Sequence, residues 1–262
     1  MAKVRIDNRR AERRIERKHE AKIERILRAG YTAGLRAYLE KRPVLPAIHN
    51  AHAKLESELI EIYTEAFMAS GISTFNRVKR SAGKKQAPRF QDLPVELPPE
   101  LRRGLMEFIA RETGRKITRM DRTTQDRIAQ AVQRAIEEGT PIDTDDPTPA
   151  QPGLFDPKTL SEQIREIAKI DSRYRAHMIA RTETHSASQA ATMVAAEATG
   201  LVKEKEWVSA DDPRTREAHR DIESVPMDKP FIVDGEELDY PGDPRGSAGN
   251  IINCRCQVVF VV

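Results

Sequence analysis

Residues 161–209 read SEQIREIAKIDSRYRAHMIARTETHSASQAATMVAAEATGLVKEKEWVS, and the change of character near their end decides the fold class. From Ser161 to Thr199 there is no Pro and no Gly. Ile164, Ile167, Tyr174 and Met178 recur at helical spacing and lead into Ala187, Ala190, Ala191, Val194 and Ala198. One or two helices are expected, the later part packing through small side chains. Gly200 is a natural residue just past a helix end. Beyond it, Lys205-Glu206-Trp207-Val208-Ser209 and Cys256 to Val262 read as strands. Phe231-Ile232-Val233 before Asp234-Gly235 reads as the first arm of a hairpin. Between these strands, DDPRTREAHRDIE (residues 211–223) is expected to be a short helix opened by Asp211 or Asp212 and Pro213. The expected class is α+β: a mainly helical N-terminal region, then helices packed on a small antiparallel sheet at the C-terminus.

Working back along the chain, Pro- and Asp-rich residues 140–157 read as a loop, with Asp156-Pro157 capping the next helix. Thr123 with Asp126 has the form of a capping box for a helix to about Glu138, behind a shorter helix over about 100–112 and Gly114. Residues 76–99, basic and Pro-rich, read as a linker. A helix from about His49 to Phe75 can bury Leu55, Leu59, Ile62, Tyr63, Ala66 and Phe67. The N-terminal helix reads as charged and exposed, because Ile15, Ile23, Ile26 and Leu27 are too sparse for a wide apolar stripe. The implied division is residues 1–98 as a basic helical region with linker, and 99–262 as a second domain containing a small α+β unit at 201–262.

The 262 residues are 32% charged and 5% aromatic. No run of about 18 apolar residues could span a bilayer, and no apolar segment follows the basic N-terminus. A soluble protein without a membrane partner or a secretory leader is expected. Cys254 and Cys256 are too close to staple distant segments, which favours a reducing compartment. The net charge of +3 conceals a polarised chain. Residues 1–42 carry 14 Lys/Arg against 6 Asp/Glu, whereas residues 207–262 carry 6 against 11. The basic segments nominate Arg9, Arg10, Arg13, Arg14, Arg17, Lys18, Lys79, Arg80, Lys84 and Lys85 for contact with DNA phosphate or an acidic partner surface. The plain alternative is a solvated helix. With almost no aromatic residues in these segments, stacking on bases is not expected, and any DNA binding would be non-specific and salt-dependent.

Four clusters combine loop-forming and strongly polar residues beyond what core packing requires: ARTETHSASQA (180–190), DDPRTREAHRD (211–221), YPGDPRG (240–246) and NCRC (253–256). Taken in order as Arg181-Thr182-Glu183, Trp207, Asp211 with Thr215-Arg216 and His219, Tyr240 to Pro244 including Asp243, and Asn253 to Cys256 including Arg255, they resemble the Mu F-like head-morphogenesis family of tailed bacteriophages. The resemblance covers about residues 116–262. It implies a structural minor head protein of the virion, present inside the capsid or at the portal vertex, associated with portal or scaffold proteins and aiding assembly, DNA packaging or ejection. It also implies possible partners in double-stranded DNA, and no enzymatic activity.

Two chemical readings stand beside it. His219, Cys254 and Cys256 are N/S donors suited to zinc, with His185 or Asp211 as the candidate fourth ligand. The alternative for the three is packing that pins the short helix to the last strand. Arg181 and Glu183 are expected in a half-buried Arg–carboxylate network reaching the 211–216 loop. A rival function is a metal-dependent hydrolase or nuclease using His219, Asp211 and the C-x-C strand, since Asp211, Asp212, Glu217 and Asp221 resemble Mg²⁺-binding clusters. No phosphate-binding Gly-rich loop and no nucleophile elbow is present.

Overall fold

The structure, a computed structural model, describes residues 3–83, 98–138 and 160–262. Seven helices lie within these residues: α1 (Arg9–Leu39), α2 (Val44–Ala51), α3 (Lys54–Ala66), α4 (Ile72–Ser81), α5 (Pro99–Glu137), α6 (Leu160–Thr199) and α7 (Ala248–Ile251). A π-turn, Phe67–Gly71, joins α3 to α4. The strands are β1 (Lys3–Arg5), β2 (Glu204–Val208), β3 (Val225–Pro226), β4 (Phe231–Val233), β5 (Glu236–Leu238) and β6 (Gln257–Val261). The expected α+β class is what forms. The 140–157 loop with its Asp156-Pro157 cap, and the Pro-rich part of the 76–99 linker, fall outside the described residues; Asn76 to Ser81 belong to α4.

Two compact units are built from discontinuous segments. The first comprises Met1–His19, Leu59–Glu112 and Met178–Val262. Its sheet has the order β1-β6-β2-β3, antiparallel throughout, with Val4 opposite Phe260 and Trp207 opposite Val258. Every residue of β6 is buried, as a central strand covered on both faces should be. In β2 the alternation puts Lys205 and Trp207 inside. β4 and β5 form the expected hairpin; Asp234 and Gly235 both take positive φ (50° and 76°), the backbone of a type I′ turn. Aromatic packing of Tyr63 and Phe67 on Phe108 completes this core.

The second unit comprises Glu20–Glu58 and Thr113–His177. Tyr31, Leu35, Ile48, Ile128, Ala131, Val132, Ala135, Ile164 and Ala168 form its core. Beside this core, Asp121 accepts bonds from Nδ1 of His49 and of the fully buried His52, both at 2.7 Å. Gly30 in α1 makes room for that ring: a Cβ there would lie 2.0 Å from His52 Nε2.

Three local expectations are corrected. α1 is not an exposed helix, because Ile15, His19, Ile23, Leu27, Tyr31 and Leu35, each four residues apart, are all buried. A single row at spacing four is a ridge that can seat in a groove between other helices, so a narrow stripe suffices. α5 runs unbroken through Gly114 and Thr123, and Thr123 is no cap: its hydroxyl donates to the Arg119 carbonyl one turn back. The helix placed over 49–75 is divided into α2, α3, the π-turn and α4. No helix among the described residues is long and apolar enough to cross a membrane.

Candidate functional site

The ordered polar clusters come together in the first unit. The segment Thr182 to Thr192 of α6 is buried although most of it is polar, and many of its side chains are bonded to neighbouring elements. Thr182 accepts the Asn253 N–H (3.1 Å), and Glu183 accepts the Tyr63 hydroxyl (2.8 Å). His185 Nδ1 faces Glu12 (3.4 Å), and Ser188 bonds Ser70 (2.7 Å). Gln189 donates to Gln257 and accepts the Val258 N–H, fixing α6 against β6. Thr192 accepts from the Asn8 amide (3.1 Å). Small side chains let these elements approach, and reciprocal bonding offsets much of the cost of burying polar atoms, although the Thr184 and Ser186 hydroxyls and Nε2 of His185 are buried without a hydrogen-bond partner.

The 211–223 segment is not the expected helix; a single 3₁₀ turn, Glu217–His219, forms. Asp212 is the reason. Its carboxylate accepts the Arg214 N–H (2.8 Å), and the Thr215 hydroxyl accepts the Asp212 N–H, so the local side chains satisfy a turn instead. Asp211 takes a positive φ of 49°. Arg255 pairs with Asp212, Arg220 reaches Asp211 (3.2 Å), and Arg216 donates to the Ile252 carbonyl (2.6 Å). The loop is thus held by an arginine network, as expected in kind, but through Arg216, Arg220 and Arg255. Arg181 instead lines a cleft with Arg9, Arg13, Asp212 and Arg255. Three of the four acids proposed for a Mg²⁺ cluster are engaged by arginines, Asp211 and Glu217 by Arg220 and Asp212 by Arg255, and the fourth, Asp221, is exposed.

Asp243, 1% exposed, organises the 240–246 loop. It accepts the N–H groups of Asp239 (2.9 Å) and Arg245 (3.0 Å) and the Arg245 guanidinium (2.6 Å). Gly242, at φ 80°, lets the loop close over the His185 ring.

His219, Cys254 and Cys256 are brought together and buried. Nδ1 of His219 lies 3.8 Å from Cys254 Sγ and 3.5 Å from Cys256 Sγ, while Nε2 meets the Asn250 side-chain oxygen at 3.2 Å. Trp207 packs edge-on to the imidazole, 5.3 Å between ring centroids. Both cysteines are free thiols. The bond that Cys254 donates to Cys256, with burial, pushes the Cys254 thiol well up. Receiving that bond, with help from His219, outweighs burial at Cys256 and pushes it down to about 4. The candidate fourth ligands lie elsewhere: Asp211 is 86% exposed and on Arg220, and His185 is on Glu12. Among the described residues the other donor group of this kind is His19, Glu61 and Glu65, where Lys18 also pairs with Glu65.

Of the basic candidates, Arg10, Arg13, Arg14, Arg17, Lys18 and Arg80 are exposed, and Arg9 and Lys79 half-buried. Lys79 stands over the Phe75 ring, 4.0 Å from its centroid. Arg77 donates to the Arg5 carbonyl (3.0 Å), tying the two basic segments side by side. Lys84 and Lys85 fall outside the described residues.

Sequence reasoning missed Asn8, Glu12, Tyr63, Ser70, Lys205 and Asn250. Lys205 is 1% exposed, its ammonium donating to the Asp239 carbonyl (3.0 Å) above the Phe231 ring. Burial pushes it below its usual range. Its place in the alternation of β2, on the Trp207 side, was the available signal.

Glu12 gives a pH test. Burial raises its carboxyl, but the facing His185, with Ser188 and Gln189, outweighs this and holds it below the ordinary 4.5. A folded-state value below the unfolded one means stability present above pH 4.5 and lost as pH falls through the lowered value. Glu12→Gln is therefore expected to lower Tm at pH 7 and to flatten the decline of Tm between pH 5 and 3, both read by circular dichroism. A wild-type-like acid limb in the variant would refute this.

Residues 153–259 match the family model described as Phage Mu protein F like protein. Among curated proteins, the NAD(+)--arginine ADP-ribosyltransferase EFV of Enterococcus faecalis (strain ATCC 700802 / V583) is 32% identical over 117 residues, which cover 42% of this chain and 24% of that protein. The chain thus spans about a quarter of the length of that relative. No solved structure matches significantly. The matched residues contain all five ordered elements, from Arg181 to Cys256, and every bond just described between α6, the 211–223 loop and the β6 approach. Over residues 153–259 the chain is accordingly similar to the phage Mu protein F like family, through the same ordered elements that carry the resemblance in sequence.

Proposed function

We propose that this chain is a minor head protein of a tailed phage or prophage, placed inside the capsid or at the portal vertex, which aids head assembly and DNA packaging or ejection through contacts with portal and scaffold proteins. The observation that carries this reading is the inward use of the family-matched side chains. Thr182, Glu183, Gln189, Arg216, Asp243 and Arg255 are all engaged in bonds within the unit. Groups committed in this way build a rigid docking body and are not free to act on a substrate. The activity named for the enterococcal relative is that protein's, and three quarters of its length lies outside the match. Co-expression with the portal protein of the same phage, followed by capture in high salt, tests the proposal. A salt-resistant complex is expected, and its absence overturns portal docking.

Non-specific contact with duplex DNA is the second part of the proposal, supported by the side-by-side placement of the basic segments through Arg77 and Arg5. Fluorescence anisotropy on two unrelated duplexes should give equal affinities that fall by orders of magnitude between about 50 and 200 mM salt. Replacing Arg10, Arg13, Arg14 and Arg17 with Gln should weaken binding to both and flatten the log–log salt slope by about 0.9 per lost phosphate contact. The DNA should stay intact in Mg²⁺ or Zn²⁺. Cleavage would favour the hydrolase reading, and no binding at about 50 mM salt would leave the basic face to an acidic protein partner.

A further inference from the structure

Cys254 and Cys256 are separated by one residue in extended chain just before β6, where alternate side chains point the same way. Both thiols therefore face one side and Arg255 the other, toward Asp212. The 3₁₀ turn brings His219 to the same point from a segment 35 residues away in sequence.

The resulting geometry is specific. A tetrahedral zinc ion with bonds of about 2.0–2.1 Å to nitrogen and 2.3 Å to sulfur holds those two atoms about 3.6 Å apart. Here the two nitrogen–sulfur distances are 3.5 and 3.8 Å, and all three donor atoms lie within 4.8 Å of one another. They outline one face of such a tetrahedron. The support around the imidazole is also that of a metal ligand: Nδ1 faces the thiols while the opposite nitrogen is held by the Asn250 side chain at 3.2 Å. Trp207, edge-on to the ring, shields it from water.

We propose that His219 Nδ1, Cys254 Sγ and Cys256 Sγ bind one zinc ion, the fourth position being filled by water or a solute from the cleft of about 200 Å³ that Cys254 lines with Arg181, Asp212 and Arg255. Binding transfers the thiol protons to solvent and forms two thiolate–metal bonds; nothing is oxidised or reduced. The ion clamps the 211–223 loop to the approach to β6. This proposal is independent of the role in head morphogenesis and goes beyond it.

The full chain, purified without chelator, should contain about one zinc per molecule by elemental analysis. After metal removal, titration with Co²⁺ should produce thiolate-to-cobalt charge-transfer bands in the near ultraviolet and the intense visible bands of tetrahedral cobalt, saturating at about one equivalent. Cys256→Ser and His219→Gln should weaken Co²⁺ binding at least tenfold, and Arg80→Gln, on the exposed surface of α4, should leave it unchanged. Should the ligand variants misfold, wild-type protein still decides the matter. Its two thiols should resist alkylation with zinc present and react after chelation, with a fall in Tm. Folded wild-type protein that carries no zinc and gives Co²⁺ no charge-transfer bands would overturn the proposal and leave the three residues as a packed thiol–imidazole cluster.

Discussion

Gly30→Ala is expected to destabilise the protein by about 3 kcal/mol, although alanine is the better helix former by about 1 kcal/mol. The added methyl would sit 2.0 Å from Nε2 of a fully buried ring, less than any non-bonded pair tolerates. α1 continues for nine residues past this point, to Leu39, so the helix cannot swing away locally. His52 must then rotate out and give up its 2.7 Å bond to Asp121, itself a buried carboxylate. Urea unfolding monitored by circular dichroism measures the loss as a shift in midpoint at unchanged slope. Adding His52→Ala to Gly30→Ala opens the space the methyl needs, so the double variant should be less destabilised than the sum of the singles, with a coupling of about 2 kcal/mol. A Gly30→Ala protein as stable as wild type would show that the glycine does not serve to seat the ring.

The second large effect is expected at Asp243, where substitution by Ala should cost about 3–5 kcal/mol. The carboxylate satisfies two backbone N–H groups and one guanidinium, and its removal strands the N–H groups of Asp239 and Arg245 in a closed loop. The order of variants is more telling than the size. Arg245 is half exposed, so Arg245→Ala should cost only about 1 kcal/mol. Asp243→Asn, which keeps one acceptor oxygen, should fall between them. Amide hydrogen exchange should speed up at 239 and 245 in the Ala variant and much less in the Arg245 variant. If Arg245→Ala proved the more damaging, the ion pair and not the backbone bonding would be the reason for the aspartate.

The strands β2 and β6, the β4–β5 hairpin and the long helix α6 were legible because each has a strong local signature: alternation, a turn dipeptide, or forty residues without a breaker. β1 was not, since Lys3-Val4-Arg5 is only three residues long, two of them charged, and becomes a strand only by pairing with β6. Gly114 and Thr123 misled in one way: each has the local chemistry of a helix end, but the helix carries through in the fold. His52, the reason for Gly30, lies 22 residues away in sequence, and nothing in either neighbourhood announces the pair. At the site, the motif residues were visible as polar clusters, but their partners were not. Tyr63, Ser70 and Asn8 carry no distinguishing signal until α6 is placed against them. The local Asp212–Arg214 turn bonding likewise outcompeted the helix that Asp211 or Asp212 with Pro213 was expected to open.

The pairing of β1 with β6 has a consequence for synthesis. Val4 is synthesised well before the strand it belongs beside, which includes Phe260, more than 250 residues later. The unit that carries the family motifs therefore cannot close in step with translation. β1 waits unpaired until then, and a chain stopped before residue 257 lacks the strand that joins β1 to β2, so it cannot complete the sheet.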